Sequence, residues 1–189
     1  MGNDVPQDIA ELLDAGDVEG ALARWRAHFD DVGGPAARPD EDDYVREFNR
    51  RLTVWQQLEL YVWEVERRPH NARSWKLLGY AYMWAGLYVP ILLRAAEQAF
   101  LISSAHEEDA ALTSNLEEKM ELCRLALGGD EDARAELAAG EHAFARQFET
   151  FPAVIPMPEP FVHSGIAPQR ELKVTAAIIA PDLLDILNG

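Results

Sequence analysis

The sequence predicts an all-α fold in which antiparallel helical hairpins stack as a short α-solenoid, followed by a proline-rich extended arm. Apolar residues recur at three- and four-residue steps over several stretches, which places them on one face of a helix. Glycine and proline separate these stretches, as they do between helices. Residues 152–168 then contain five prolines and no helical period, so we expect extended backbone there.

The composition favours one helical domain. The chain has 189 residues, of which 48% are hydrophobic, and this is enough for a sizeable core. We predict a helical domain over residues 1–151. The arm, with a short terminal helix, is expected over residues 152–189.

Charge and hydropathy exclude several classes of partner. The formal net charge is −16, so nucleic acids and anionic membrane surfaces should be repelled. No apolar run approaches the roughly 20 residues that span a bilayer, and the first residues are acidic where a signal peptide is basic. These features predict a cytoplasmic protein without membrane insertion. The charge is uneven, because residues 72–103 carry three basic residues against one acid.

The first part of the chain has the pattern of a helical hairpin over residues 4–30, with its turn at Ala15-Gly16-Asp17. Residues 30–41 contain two Gly, two Pro and four acids, which is the composition of a loop. Residues 43–67 contain neither Gly nor Pro. They predict one long helix, or two helices with a break near Arg51-Leu52-Thr53.

Residues 69–103 give the clearest indication of the fold. Trp75, Leu78 and Tyr82 fall on one helical stripe. Gly79 lies among them, where a missing side chain would let a second helix approach closely. We expect Gly86 to end the first helix in a left-handed conformation.

These residues follow the order W-x2-L-G-x2-Y, and residues 69–103 therefore resemble one tetratricopeptide repeat, a helix–turn–helix unit. Residues 5–30 resemble a weaker unit, since Gly16 and Gly86 lie 70 residues apart, close to two periods of about 34 residues. The resemblance implies a helical scaffold that binds proteins or peptides.

The same resemblance implies a partner-binding groove, because the first helix of each repeat lines the concave face. The groove-facing positions would be Arg73, Lys76, Tyr80, Met83 and Trp84. Two cations, two aromatic rings and a methionine suit backbone, carboxylate and apolar contacts with a peptide. The alternative is that the apolar three pack against neighbouring helices and the two cations are ordinary surface charges.

Two further helices are predicted before the arm. Ser104-Ala105-His106-Glu107 has the order of a capping box, and apolar residues follow it at helical spacing as far as Leu127. Gly128-Gly129-Asp130 ends that helix, and a last one is expected over about Glu131 to Phe151.

The arm is apolar for a linker, so we expect another surface to cover it, either in the same chain or in a neighbour. Its candidate contact residues are Ile155, Met157, Phe161, Val162 and Ile166. Glu171 to Ala180 is expected to form a short strand or helix, and residues 181–187 a final helical turn or two.

No catalytic motif is recognisable. The five histidines are scattered, Cys123 is the only cysteine, and no phosphate loop, dinucleotide turn or nucleophile elbow is present. We therefore predict no metal, no cofactor and no enzymatic activity. The leading hypothesis is an adaptor, scaffold or assembly chaperone, and the alternative is a structural subunit attached through the arm. A homo-oligomer or a larger complex is compatible with both.

Overall fold

The computed structural model describes residues 7–32, 39–107 and 109–180. It is mostly helical, and its elements in chain order are α1 (Gln7–Asp14), α2 (Val18–Val32), α3 (Pro39–Arg51), α4 (Val54–Arg67), α5 (Ala72–Ala85), α6 (Leu92–His106), α7 (Ala110–Leu127), α8 (Glu131–Phe144), β1 (Val154–Pro156), α9 (Glu159–His163) and β2 (Glu171–Lys173). No helix in these ranges is both long and apolar enough to cross a membrane.

Neighbouring helices pack in succession. α1 packs on α2, and each helix from α4 to α7 packs on the next one. α2 also contacts α4, while α8 returns to contact both α3 and α5. The prediction of adjacent, packed helix pairs is thus confirmed, and the return of α8 makes it a third helix in contact with α5, beside α4 and α6.

The prediction of one long helix over residues 43–67 is wrong, and the alternative of two helices with a break near Arg51-Leu52-Thr53 is confirmed. Thr53 caps α4 through a capping box: its hydroxyl accepts from the backbone N–H of Gln56, whose side chain accepts from the N–H of Thr53. A reciprocal cap of this kind satisfies two donors that the first helical turn leaves without partners. The apolar residues keep their helical spacing across the break, although the backbone itself changes direction there.

The apolar stripe of α5 forms the centre of the core. Trp75, Leu78 and Tyr82 are buried, as their spacing predicts. A Cβ atom on Gly79 would lie 2.5 Å from two ring carbons of Phe100 on α6. The glycine therefore allows the close approach of the second helix that the sequence predicted.

Four details of the predicted boundaries are wrong. Gly86 ends α5 as predicted, but its φ of −63° lies in the right-handed region and not in the left-handed one. A Cβ there would lie 2.5 Å from the Leu93 side chain, so a larger residue would require that side chain to move. Ser104 does not start a helix, because α6 continues to His106 and Asp109 caps α7.

The third error is the end of α8, which stops at Phe144 instead of Phe151. The chain leaves the helix because the N–H of Arg146 donates to the Leu52 carbonyl at 2.7 Å, beside Thr53. The predicted loop over residues 30–41 is also too long, since α2 extends to Val32 and α3 begins at Pro39.

Residues 152–180 pack on the helices of their own chain. β1 pairs antiparallel with β2, with Ile155 opposite Leu172, and β1 contacts α4. The expectation of extended backbone therefore agrees with strand β1 and is corrected at Glu159–His163, which forms the short helix α9. Pro160 is compatible with α9 because it lies in its first turn. The predicted turns over residues 181–187 lie outside the described residues.

Three of the five candidate arm residues are buried, namely Ile155, Met157 and Phe161, while Val162 and Ile166 are half-buried. The Phe161 ring lies 5.7 Å from the Tyr82 ring, centroid to centroid. The Tyr82 hydroxyl donates to the Pro156 carbonyl at 2.6 Å. The described part of the arm thus covers the Tyr82 side of α5.

Candidate functional site

A cleft of about 590 Å³ opens on the opposite side of α5, between α3, α5, α7 and α8; we call it the α5 cleft. Four of the five predicted groove residues line it: Lys76, Tyr80, Met83 and Trp84. Its volume lies within the roughly 300–1,000 Å³ of typical ligand sites. It has room for a few side chains of a partner.

A ladder of stacked rings forms the apolar wall of the α5 cleft. Tyr80 stacks on Trp84 with ring centroids 5.7 Å apart, and Trp84 stacks on Phe144 of α8 at 5.6 Å. The guanidinium of Arg46 lies over the other end of the ladder, 5.5 Å from the Phe144 centroid. Such stacking fixes the rings, so the wall exists before any ligand arrives.

Small side chains allow α8 to complete this wall. A Cβ atom on Gly140 would lie 2.9 Å from Nε1 of Trp84, so the glycine lets α8 reach the edge of the indole. Trp84 and Met83 are buried, while Tyr80 stays half-buried and its hydroxyl donates to Oδ1 of Asn115 on α7 at 3.2 Å. The apolar residues therefore pack against neighbouring helices and line the cleft as well.

Basic side chains surround the cleft. Arg46, Lys76 and Lys119 line it together with one carboxylate, Glu136. Lys119 pairs with Glu136 at 3.3 Å. No carboxylate in the described part of the chain pairs with Lys76. The cleft is thus locally positive on a chain whose formal net charge is −16.

Asn49 supplies a polar group to the cleft. It is 5% exposed, lines the cleft, and accepts the Tyr61 hydroxyl on its Oδ1 at 2.5 Å. Its backbone carbonyl accepts from the Gln57 side chain at 2.9 Å. These two bonds hold the side chain in place, and its Nδ2 group has no acceptor within the described ranges.

No protein-family model, curated protein or solved structure matches this chain.

Arg73, the fifth predicted groove residue, does not line the α5 cleft. It is buried near Glu64, whose carboxylate it stabilises electrostatically. Glu64 is fully buried and accepts from Nε1 of Trp25 at 2.8 Å and from the Ser74 hydroxyl at 2.9 Å. It therefore joins α2, α4 and α5.

Loss of water around Glu64 raises the pKa of its carboxyl to about 7, against the opposing effects of the two hydrogen bonds and of Arg73. Sequence reasoning missed this residue. The signal was present, because Glu64 follows Leu60 and Tyr61 by four and three residues and so shares their apolar face. An acid on such a face predicts a buried, hydrogen-bonded carboxyl group.

Among the described residues, the arm adds no side chain to the cleft, and no metal site or reactive thiol is present. No residue of 152–180 lines it. Across the described ranges, no group of three His, Cys, Asp or Glu side chains is placed to hold a metal ion. Cys123 is buried, and burial raises the pKa of its thiol to about 12, which suits a packed side chain better than a nucleophile.

Proposed function

We propose that this protein is a non-enzymatic interaction scaffold, an adaptor or assembly chaperone, that holds a segment of a partner protein in the α5 cleft. The observation that carries the proposal is the convergence of Lys76, Tyr80, Met83 and Trp84 on one open, preformed cleft. Stacked rings beside cations are a common means of holding a peptide. The absence of catalytic motifs from the sequence is in keeping with this role.

The packed helix pairs are compatible with a tetratricopeptide-like α-solenoid acting in the cytoplasm. In such arrays the first helices of successive pairs line one face, and α3, α5 and α7 all contribute to the cleft. The added contacts of α8 would narrow this face and limit the partner to a short segment.

The alternative function is a structural subunit joined to a larger complex through residues 152–189. It requires apolar arm residues that are free to reach another chain. The contacts of Ile155, Met157 and Phe161 with their own helices favour the scaffold over this alternative.

Photo-crosslinking tests the proposal. A benzophenone amino acid replaces Leu77, which is half-buried and lines the cleft, and in a control protein it replaces Leu101, which is 53% exposed on α6. Both proteins are expressed in the source cells and irradiated, and the crosslinked peptides are sequenced. We expect the Leu77 probe to capture one short segment of a recurrent partner that the Leu101 probe does not capture. Identical captures at both positions would contradict the proposal.

A further inference from the structure

We infer that the occupant of the α5 cleft is an acidic peptide segment with aliphatic side chains, which places a carboxylate beside Lys76 and an apolar side chain against the ring ladder. This inference rests on the proposed function and names the chemical class of the partner.

The hydrogen-bonding groups of the cleft are mostly donors. Asn49 keeps its Oδ1 occupied by Tyr61, so its amide contributes N–H groups. Lys76 and Arg46 have no acceptor atoms in their charged groups. A donor that a ligand covers without offering it an acceptor is unfavourable. The ligand that matches the site therefore brings acceptors, which are carboxylate or backbone carbonyl oxygens.

The charge of the cleft also favours a ligand that carries carboxylates. Its lining has three cations against one carboxylate, and the Lys119–Glu136 pair neutralises itself. Lys76, with which no carboxylate of the described residues pairs, remains as the positive charge that faces a ligand. On a chain of formal net charge −16, a diffuse anion such as a nucleic acid is repelled by the rest of the surface, whereas a short acidic segment meets the cations locally.

The apolar wall requires the segment to carry more than charge. Tyr80, Met83 and Trp84 lie side by side on α5, and Leu122 and Leu137 face them from α7 and α8. Methionine and aromatic surfaces adapt to aliphatic side chains. A leucine or isoleucine next to an acidic residue thus fits both the apolar wall and the basic groups of the site.

Fluorescence anisotropy with a labelled peptide of sequence ELLEELLE tests the inference on the full chain. QLLQQLLQ keeps the shape without carboxylates, ESSEESSE keeps the carboxylates without the apolar side chains, and dodecanoate serves as a competing non-peptide acid.

Lys76→Gln removes a cleft cation. Lys173→Gln makes the same charge change on the exposed strand β2. Asn49→Asp keeps the acceptor for Tyr61 and removes the amide donor, and circular dichroism checks that each variant is folded.

We expect ELLEELLE to bind about tenfold more tightly than either comparison peptide, and more weakly as salt is added. Lys76→Gln should weaken its binding about three- to tenfold while leaving QLLQQLLQ unaffected. Asn49→Asp should weaken it too, and Lys173→Gln should not.

Different results would overturn the inferred peptide class and the proposed function. Equal binding of ELLEELLE and QLLQQLLQ, or no effect of Lys76→Gln, would overturn the acidic class and leave a peptide-binding cleft. Binding of ESSEESSE as tight as that of ELLEELLE would remove the apolar requirement and overturn the inference. If no peptide binds, or if dodecanoate alone binds, both the inference and the proposed function at this cleft are overturned.

Discussion

The buried carboxyl of Glu64 gives a prediction about stability and pH. Its pKa is about 7 in the folded chain, against a reference value of 4.5. The folded state therefore binds this proton more tightly than the unfolded state does. The stability that the group contributes is complete below about pH 4.5 and is lost as the pH rises through about 7.

The size of the effect follows from the shift in pKa. Each pKa unit corresponds to about 1.4 kcal/mol, so the shift from 4.5 to about 7 is worth about 3 kcal/mol. Glu64→Gln removes the titration. Its free energy of unfolding, relative to the wild-type value at the same pH, should rise by about 3 kcal/mol between acid and mildly alkaline pH.

The assay is urea unfolding, followed by far-ultraviolet circular dichroism at a series of pH values. Only the difference between the two proteins is interpreted, since the other carboxyl groups titrate equally in both. Glu59→Gln is the matched control, because Glu59 lies on the same helix with an exposed side chain, and its difference from wild type should change little with pH. A flat difference for Glu64→Gln would refute the reasoning. A difference of opposite sign would show that Arg73 and the hydrogen bonds outweigh the loss of water.

Two further substitutions and one chemical modification test the packing. Trp75→Ala should lower the free energy of unfolding by about 3–5 kcal/mol, because the indole is 1% exposed; a loss below about 1 kcal/mol in urea unfolding would contradict its central place in the core. Tyr82→Phe removes the hydroxyl that donates to Pro156, so we expect a loss of about 1 kcal/mol and faster proteolysis within residues 152–180; an unchanged cleavage rate would show that this bond does not hold the arm. Cys123 should resist iodoacetamide until urea unfolds the chain, because it is buried and its pKa is raised to about 12; rapid alkylation of the folded protein, measured by mass spectrometry, would be inconsistent with this packing.

The sequence predicted those parts of the fold that depend on local spacing. The α5 stripe and the role of Gly79 follow from three- and four-residue steps within one segment, and the structure confirms both. The largest boundary error occurs where distant residues decide the outcome. α8 ends early because Arg146 pairs with backbone beside Thr53, a contact between residues that are far apart in sequence.

The candidate site was predictable only where it depends on the spacing within one helix. Four residues on α5 could be chosen from their shared helical face, because that choice needs only one helix. The facing residues Asn49, Phe144 and Gly140 could not, because the return of α8 onto α3 and α5 has no local signal. Arg73 lies on α5 too, but it is buried near Glu64 of α4 and does not line the cleft.

Hydrogen exchange of the protein in complex with its captured partner tests the central claim most directly. The scaffold account predicts that binding slows amide exchange in α5 and α8 around the α5 cleft and leaves residues 152–180 unchanged. Slower exchange confined to residues 152–180 would contradict the account and support a subunit attached through its arm.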